Sequence, residues 1–285
     1  MISKFSNQPF DSMLRCPKSK AELVWDGNKL SCKESNFEGE ISDGVAVMMS
    51  SRKASFFDDK FELMKEGHKA AGEWQFCYEQ QMALLESFLS PGMTVLDIGC
   101  GPALPYRKPE GVSVIGLESS INTIRANKDC DLRIFGSALE IPLPENSLDA
   151  VICIYSIHHI IGDSIPETHD KVDKAFQEFG RVLKPGGKLY IFEMTPMSIF
   201  NVIQRISWNF FRRVFPDKLD MFFWSADALI NFGRQRLPPR TQVEKVFFGT
   251  SAFTTFPPAF SLPWLRVPRL IYPLDAKLYK WHVPL

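Results

Sequence analysis

The run Val95-Leu96-Asp97-Ile98-Gly99-Cys100-Gly101-Pro102 holds the residues best suited to binding a charged ligand. A short apolar strand leads straight into a glycine turn, where missing side chains let the backbone approach a ligand closely. Dinucleotides and S-adenosylmethionine are the two ligand classes that use such a turn. The dinucleotide fingerprint requires a third glycine at position 104, and that residue is Leu104. A carboxylate at Asp97 would repel a pyrophosphate but attract the cationic amino group of a methionine, so charge favours the sulfonium nucleoside. Seventeen residues after Gly101, Glu118 closes the next apolar run, where its carboxylate can accept hydrogen bonds from both hydroxyls of a ribose.

These residues need a parallel α/β sheet to hold them. Runs at 94–98, 112–117, 132–135, 148–153 and 188–194 are short, apolar and bounded by Gly, Pro or Asp, as buried strands are. Val172, Phe176, Phe179 and Leu183 share one helical face, and Asp170 stands where a cap would. Lys184-Pro185-Gly186-Gly187 then turns the chain into the last of these strands. The expected fold is an open, doubly wound sheet with its ligand at the carboxyl ends of the strands.

Four segments, VLDIGCGP, VIGLESS, GSALEIPLPENSLDAVICIYSIHHI and RVLKPGGKLYIFE, occur in order between Val95 and Glu193. Together they resemble the class I S-adenosylmethionine-dependent methyltransferases, in particular the small-molecule branch that includes quinone-biosynthesis enzymes. The resemblance implies a Rossmann-like, mostly parallel seven-stranded sheet and S-adenosylmethionine as cofactor. It also implies that Asp97, Gly99 and Gly101 contact the methionine end, and that Glu118 serves the ribose. Ser137 and Ala138 would face the adenine and Ile154 would lie near the sulfur, with Ser119 and Tyr155 also in the cofactor-binding set. Two features depart from the family pattern. The adenine position usually holds an acid rather than Ser137, and Pro102, Pro105 and Pro109 leave room for only a short first helix.

Methyl transfer from a sulfonium is an in-line displacement in which positioning supplies much of the catalysis. A proton on the acceptor would also call for a base. His158 and His159 follow the fourth strand with Tyr155 and Ser156, and Glu193 ends the fifth. These three, His158, His159 and Glu193, are the candidate catalytic residues. Trp74, Phe76 and Tyr78 resemble the family's lid helix over the cofactor, although ordinary core packing suits each ring equally well.

The chain has 285 residues, of which 45% are hydrophobic and 23% charged, the make-up of an ordinary globular protein. Lys+Arg and Asp+Glu each number 33, so there is no general attraction to nucleic acid or anionic lipid, and only a local basic patch could supply one. The six scattered cysteines suit a reducing compartment. With no signal-like or membrane-spanning run, a cytoplasmic protein is expected.

Composition divides the chain into residues 1–50, a linker with lid helices at 51–90, a cofactor-binding core at 91–196, a helical insertion at 197–240 and a Pro- and aromatic-rich tail at 241–285. Cys16-Pro17-Lys18-Ser19 and Cys32-Lys33-Glu34-Ser35 resemble a zinc ribbon with half its ligands changed to serine, which implies a metal-free docking module. Asp26-Gly27 fits a hairpin turn there. In the insertion, Ile199, Val202, Ile203, Ile206, Phe210 and Val214 form an apolar stripe. It could face the core, cover an apolar acceptor or touch lipid; since insertions at this point of the family build the substrate pocket, a lid is expected. Final strands are expected at 243–248 and 252–256. The function expected is methyl transfer to a small, apolar or lipid-linked acceptor, with peripheral membrane contact allowed and nucleic acid disfavoured. The alternative is an rRNA base methyltransferase with an N-terminal docking module. Oligomeric state is left open.

Overall fold

Apolar runs that can be buried on both faces form the centre of the sheet, as parallel strands require. The computed structural model describes residues 11–49, 75–195, 198–214 and 221–238. Its strands are β1 Val24–Asp26, β2 Lys29–Ser31, β3 Glu38–Ser42, β4 Val45–Val47, β5 Thr94–Ile98, β6 Ser113–Glu118, β7 Leu132–Phe135, β8 Leu148–Ile154 and β9 Leu183–Phe192. The helices are α1 Gln75–Phe88, α2 Ile121–Ala126, α3 Ile165–Val182, α4 Ser198–Val214 and α5 Ala226–Arg236. One continuous sheet runs β1-β2-β3-β4-β7-β6-β5-β8-β9, and every pair from β4 onward is parallel. The α/β, mostly parallel architecture is therefore as expected. The sheet has nine strands among the described residues, and the strands expected at 243–248 and 252–256 lie outside them.

The extra strands come from the N-terminal module. Its hairpins turn at Gly27-Asn28 and at Asp43-Gly44, and β4 then adds to the core edge by pairing Ala46 with Ile134 and Val47 with Phe135. Leu14, Cys16, Leu30, Phe37 and Met48 are buried in the same apolar cluster as Leu96, Ile115 and Val151, so the module and the core share one interior. Glu178 on α3 fastens the joint. It accepts from Lys20 Nζ (2.7 Å), Arg181 Nε (2.7 Å) and the Ile141 backbone N–H (2.8 Å). Burial pushes its pKa up, but the hydrogen bonds from Arg181 and Lys20 outweigh that and leave it below the ordinary value.

Some boundaries differ from expectation for identifiable reasons. Asp170 lies inside α3; Ser164 is the cap, accepting from the Glu167 N–H, and Pro166 sits in the first turn. Lys184-Pro185-Gly186-Gly187 loops out between two pairings, Leu148 with Leu183 and Ala150 with Lys188, so β9 begins before the turn. No helix forms between β5 and β6, where the three prolines fall. Near the middle of β6, a side chain on Gly116 would put its Cβ within 2.7 Å of the thiols of Cys100 and Cys130.

On α4, Val202, Ile203, Ile206, Phe210 and Val214 are exposed, so this part of the apolar stripe does not pack on the sheet. Gln204 and Trp208, one turn apart, are the inward residues. Trp208 is buried against Phe222, while Gln204 exchanges two hydrogen bonds with the backbone of Phe223 (2.9 and 3.0 Å). Burying one indole and satisfying one amide fixes the helix with its branched aliphatic residues outward.

The four residues of the ribbon-like pair do converge. Cys16 Sγ is 3.1 Å from Ser35 Oγ, Ser19 Oγ is 3.3 Å from Cys32 Sγ, and the Ser19 backbone N–H points to Cys16 Sγ at 3.5 Å. Two thiols and two hydroxyls meet here, whereas a structural zinc needs four good ligands. We therefore expect the purified protein to contain no stoichiometric zinc, and the Ser19→Cys/Ser35→Cys double variant to acquire about one zinc per chain. Elemental analysis checks both; a full equivalent of zinc in the unaltered protein would refute the metal-free reading.

Candidate active site

The carboxyl ends of β5, β6 and β8 bring the predicted cofactor residues to one edge of the sheet. Asp97, on β5 opposite Gly116, is 1% exposed, and its Oδ2 accepts a hydrogen bond from Tyr106 Oη at 3.0 Å. Burial, with a smaller contribution from the nearby Glu118, pushes the Asp97 pKa up to about 7 even though the Tyr106 bond pulls it down. Glu118 ends β6. Its Oε1 accepts from the Ser119 and Ser120 backbone N–H groups (2.7 and 3.1 Å), and its Oε2 accepts from Gly101 N–H (3.4 Å). Burial raises its pKa as well, against the lowering effect of those amides. No cationic side chain hydrogen-bonds or ion-pairs with either carboxylate among the described residues.

The loop between them is shaped by close approach. Gly99 and Gly101 have φ of +68° and +66°, a region that disfavours side chains, and a Cβ on Gly99 would lie 2.7 Å from the Ser156 Cβ. Asn127, fully buried after α2, donates from Nδ2 to the Gly101 carbonyl (2.9 Å) and holds the far side of the loop. Ser137 Oγ accepts from the Leu139 N–H (3.1 Å) at the end of β7, with Ala138 beside it, both half-buried. Ile154 is buried at the end of β8. Tyr155, in a left-handed conformation (φ +49°), donates to Gln81 Oε1 of α1 at 2.6 Å. The residues expected to hold the cofactor, Asp97, Gly99, Gly101, Glu118, Ser119, Ser137, Ala138, Ile154 and Tyr155, thus span the ends of four neighbouring strands.

His158 and Glu193 meet as a buried pair. His158 Nδ1 lies 2.8 Å and 3.0 Å from the two Glu193 oxygens, and the His158 backbone N–H donates to Oε2 (2.9 Å). Glu193 thereby orients the ring; in the neutral tautomer that donates from Nδ1, the lone pair is on Nε2. The His158 ring stacks on Phe223 with centroids 5.6 Å apart and tilts against His159 at 4.2 Å. Phe223 also joins Met194, Tyr155 and Met221 in a small apolar cluster. Trp74 and the side chains of Phe76 and Tyr78 lie outside the described residues. Sequence reasoning missed Tyr106, Asn127 and Gln81. None belongs to a motif, and only the folded chain brings each to its partner.

Residues 96–191 match a family model described as a methyltransferase domain. Over this third of the chain, Leu96 to Ile191, the sequence is similar to that methyltransferase-domain family. The Mus musculus protein named Probable tRNA methyltransferase 9B is 32% identical over 104 residues, which is 36% of this chain and 22% of that protein. Demethylmenaquinone methyltransferase of Corynebacterium glutamicum is 31% identical over 110 residues, 38% of this chain and 44% of that protein. The chain therefore spans less than half the length of either curated relative. Among solved structures, one chain of the complex between the Haloferax volcanii Trm112 methyltransferase activator and a methyltransferase is 20% identical. The match covers 65% of this chain and 77% of that one, with a TM-score of 0.47.

S-adenosylmethionine is the cofactor that goes with this domain, and the donor set fits it: two buried carboxylates suited to a cation and a ribose, on either side of a glycine loop in left-handed conformation. The same burial has a cost in the free protein. Asp97 titrates near 3.8 when unfolded and at about 7 when folded, so the stability it lends is complete below about pH 3.8 and is lost as pH rises through about 7. Asp97→Asn should therefore melt higher than the unaltered, ligand-free protein at about pH 8, with the gap narrowing at about pH 5. Thermal denaturation at both pH values checks this; a gap independent of pH would mean that Asp97 is not a strained buried carboxylate.

Proposed function

We propose that this protein is an S-adenosylmethionine-dependent methyltransferase acting on a small apolar or lipid-linked acceptor. The observation that carries the reading is the pair of buried carboxylates, Asp97 and Glu118, flanking a glycine loop at adjacent strand ends. In this reading Asp97, Gly99 and Gly101 hold the methionine end and Glu118 and Ser119 the ribose. Ser137 and Ala138 border the adenine, and Ile154 and Tyr155 lie beside the sulfur. The cofactor, when bound, supplies an electrophilic methyl group on a sulfonium.

Of the three candidate catalytic residues, His158 is assigned the base. Its Nε2 takes the proton from the acceptor's nucleophilic atom, and Glu193 is the positioning residue that holds Nδ1. His159, half-buried against the His158 ring, is assigned to packing. Phe223 and Met194 exclude water from the acceptor side and favour an apolar ligand over a fully polar one. Similarity to demethylmenaquinone methyltransferase, whose name implies an apolar quinone acceptor, supports this class.

A second reading, methylation of an RNA base, is favoured by similarity to the protein named for a tRNA methyltransferase and by the module that extends the sheet. Against it stand the equal numbers of basic and acidic residues, since phosphate binding needs clustered Lys and Arg.

The test is transfer of labelled methyl from S-adenosylmethionine to a cell extract, followed by partition. The proposal expects label in the organic phase; label confined to precipitated RNA supports the second reading, and no transfer to any fraction refutes both. His158→Ala should lower turnover by about 10²-fold or more while leaving cofactor affinity within about a factor of two. His159→Ala should stay near the unaltered rate. Normal turnover by His158→Ala would remove it as the base.

A further inference from the structure

We propose that α4 is an interfacial helix that seats the protein on an anionic lipid surface. Its inward side is defined by Trp208 and Gln204. Its outward side carries Val202 (54% exposed), Ile203 (53%), Ile206 (79%), Phe210 (65%) and Val214 (48%). Burial removes large apolar side chains from water, so five on one exposed helix face call for an apolar environment there. The helix is about 25 Å long at 1.5 Å per residue. No described helix is long and apolar enough to cross a membrane, and a one-sided stripe suits lying in the interface instead.

Charge selects the occupant. Ser198–Val214 holds three arginines and no acidic residue. Arg205 and Arg213 are exposed with the stripe, while Arg212 pairs with Asp163. Residues 198–240 carry seven basic and three acidic side chains in a chain of zero net charge. Anionic headgroups complement this basic excess, and arginine stems can lie along the acyl boundary with their guanidinium groups among the phosphates. A second copy of this chain complements it poorly. A two-fold contact would set Arg205 and Arg213 against the same basic face, with no acidic residue on the helix to pair them. The chain's own residues 251–285 fit no better, having four basic residues and one acid, Asp275.

The experiment is co-sedimentation of the full chain with vesicles of phosphatidylcholine alone and of equal parts phosphatidylcholine and phosphatidylglycerol. The anionic vesicles should bind about tenfold or more of the protein relative to the neutral ones, with binding reduced at high salt. Ile203→Asp/Ile206→Asp should abolish binding, and Arg205→Gln/Arg213→Gln should weaken it. Both variants should keep the unaltered melting temperature and cofactor affinity, so that loss of binding is not loss of fold. Three results would overturn the proposal: no binding to the anionic vesicles, equal binding by the Ile203→Asp/Ile206→Asp variant, or conversion of a dimer to a monomer by that variant without any lipid effect. The outcome is independent of methyltransferase activity.

Discussion

Asp97 and Glu118 are two carboxylates removed from water at the ends of adjacent parallel strands, and desolvation raises the pKa of both. Their surroundings differ in how far they compensate. Glu118 receives three backbone N–H groups from two chain segments, which is close to what a carboxylate can accept in a dry site. Among the described residues, Asp97 receives a single phenolic hydrogen. The remaining deficit is one that a cationic ligand would relieve, which is why the account places the methionine amino group at Asp97 rather than at Glu118.

Much of the core can be understood as support for this edge. The Gly99 N–H donates to the Leu117 carbonyl (2.8 Å), tying the glycine loop to the strand that delivers Glu118. Asn127 holds the loop from below, and Gly116 leaves room there for the Cys100 and Cys130 thiols. On the acceptor side, the Tyr155 N–H donates to the Phe192 carbonyl (2.8 Å), which sets β8 and β9 in register and brings His158 to Glu193. The N-terminal module contributes at a distance. By pairing with β7 it covers what would otherwise be an open sheet edge beside Ser137, and Glu178 locks it there.

The features legible in the sequence were those set by local chemistry. Buried strands show as apolar runs, so β5, β7 and β8 lay where patterning put them, within a residue at each end. The glycine loop and Glu118 were legible because their spacing encodes a strand, a turn and a second strand end. Contacts between distant segments were not. Tyr106 reaches Asp97 only because proline-rich residues form a loop instead of a helix, and Gln81 meets Tyr155 only across the folded sheet. Which way α4 faces was left open in the sequence for a related reason. Helical periodicity finds an apolar stripe, but Trp208 and Gln204 decide which side packs. The module's two hairpins were visible in its turns, whereas its union with the core depended on β4 finding a partner 88 residues away in register.

The central claim is that Asp97, buried without a cationic partner among the described residues, receives the positive charge of S-adenosylmethionine. Calorimetric titration of the cofactor across pH tests it most directly. If the claim holds, affinity rises by about tenfold per pH unit below about pH 7, as Asp97 ionises, and levels off above it. Asp97→Asn should bind weakly and lose that dependence. Affinity that is flat across the same range in the unaltered protein, or unchanged in Asp97→Asn, would contradict the account.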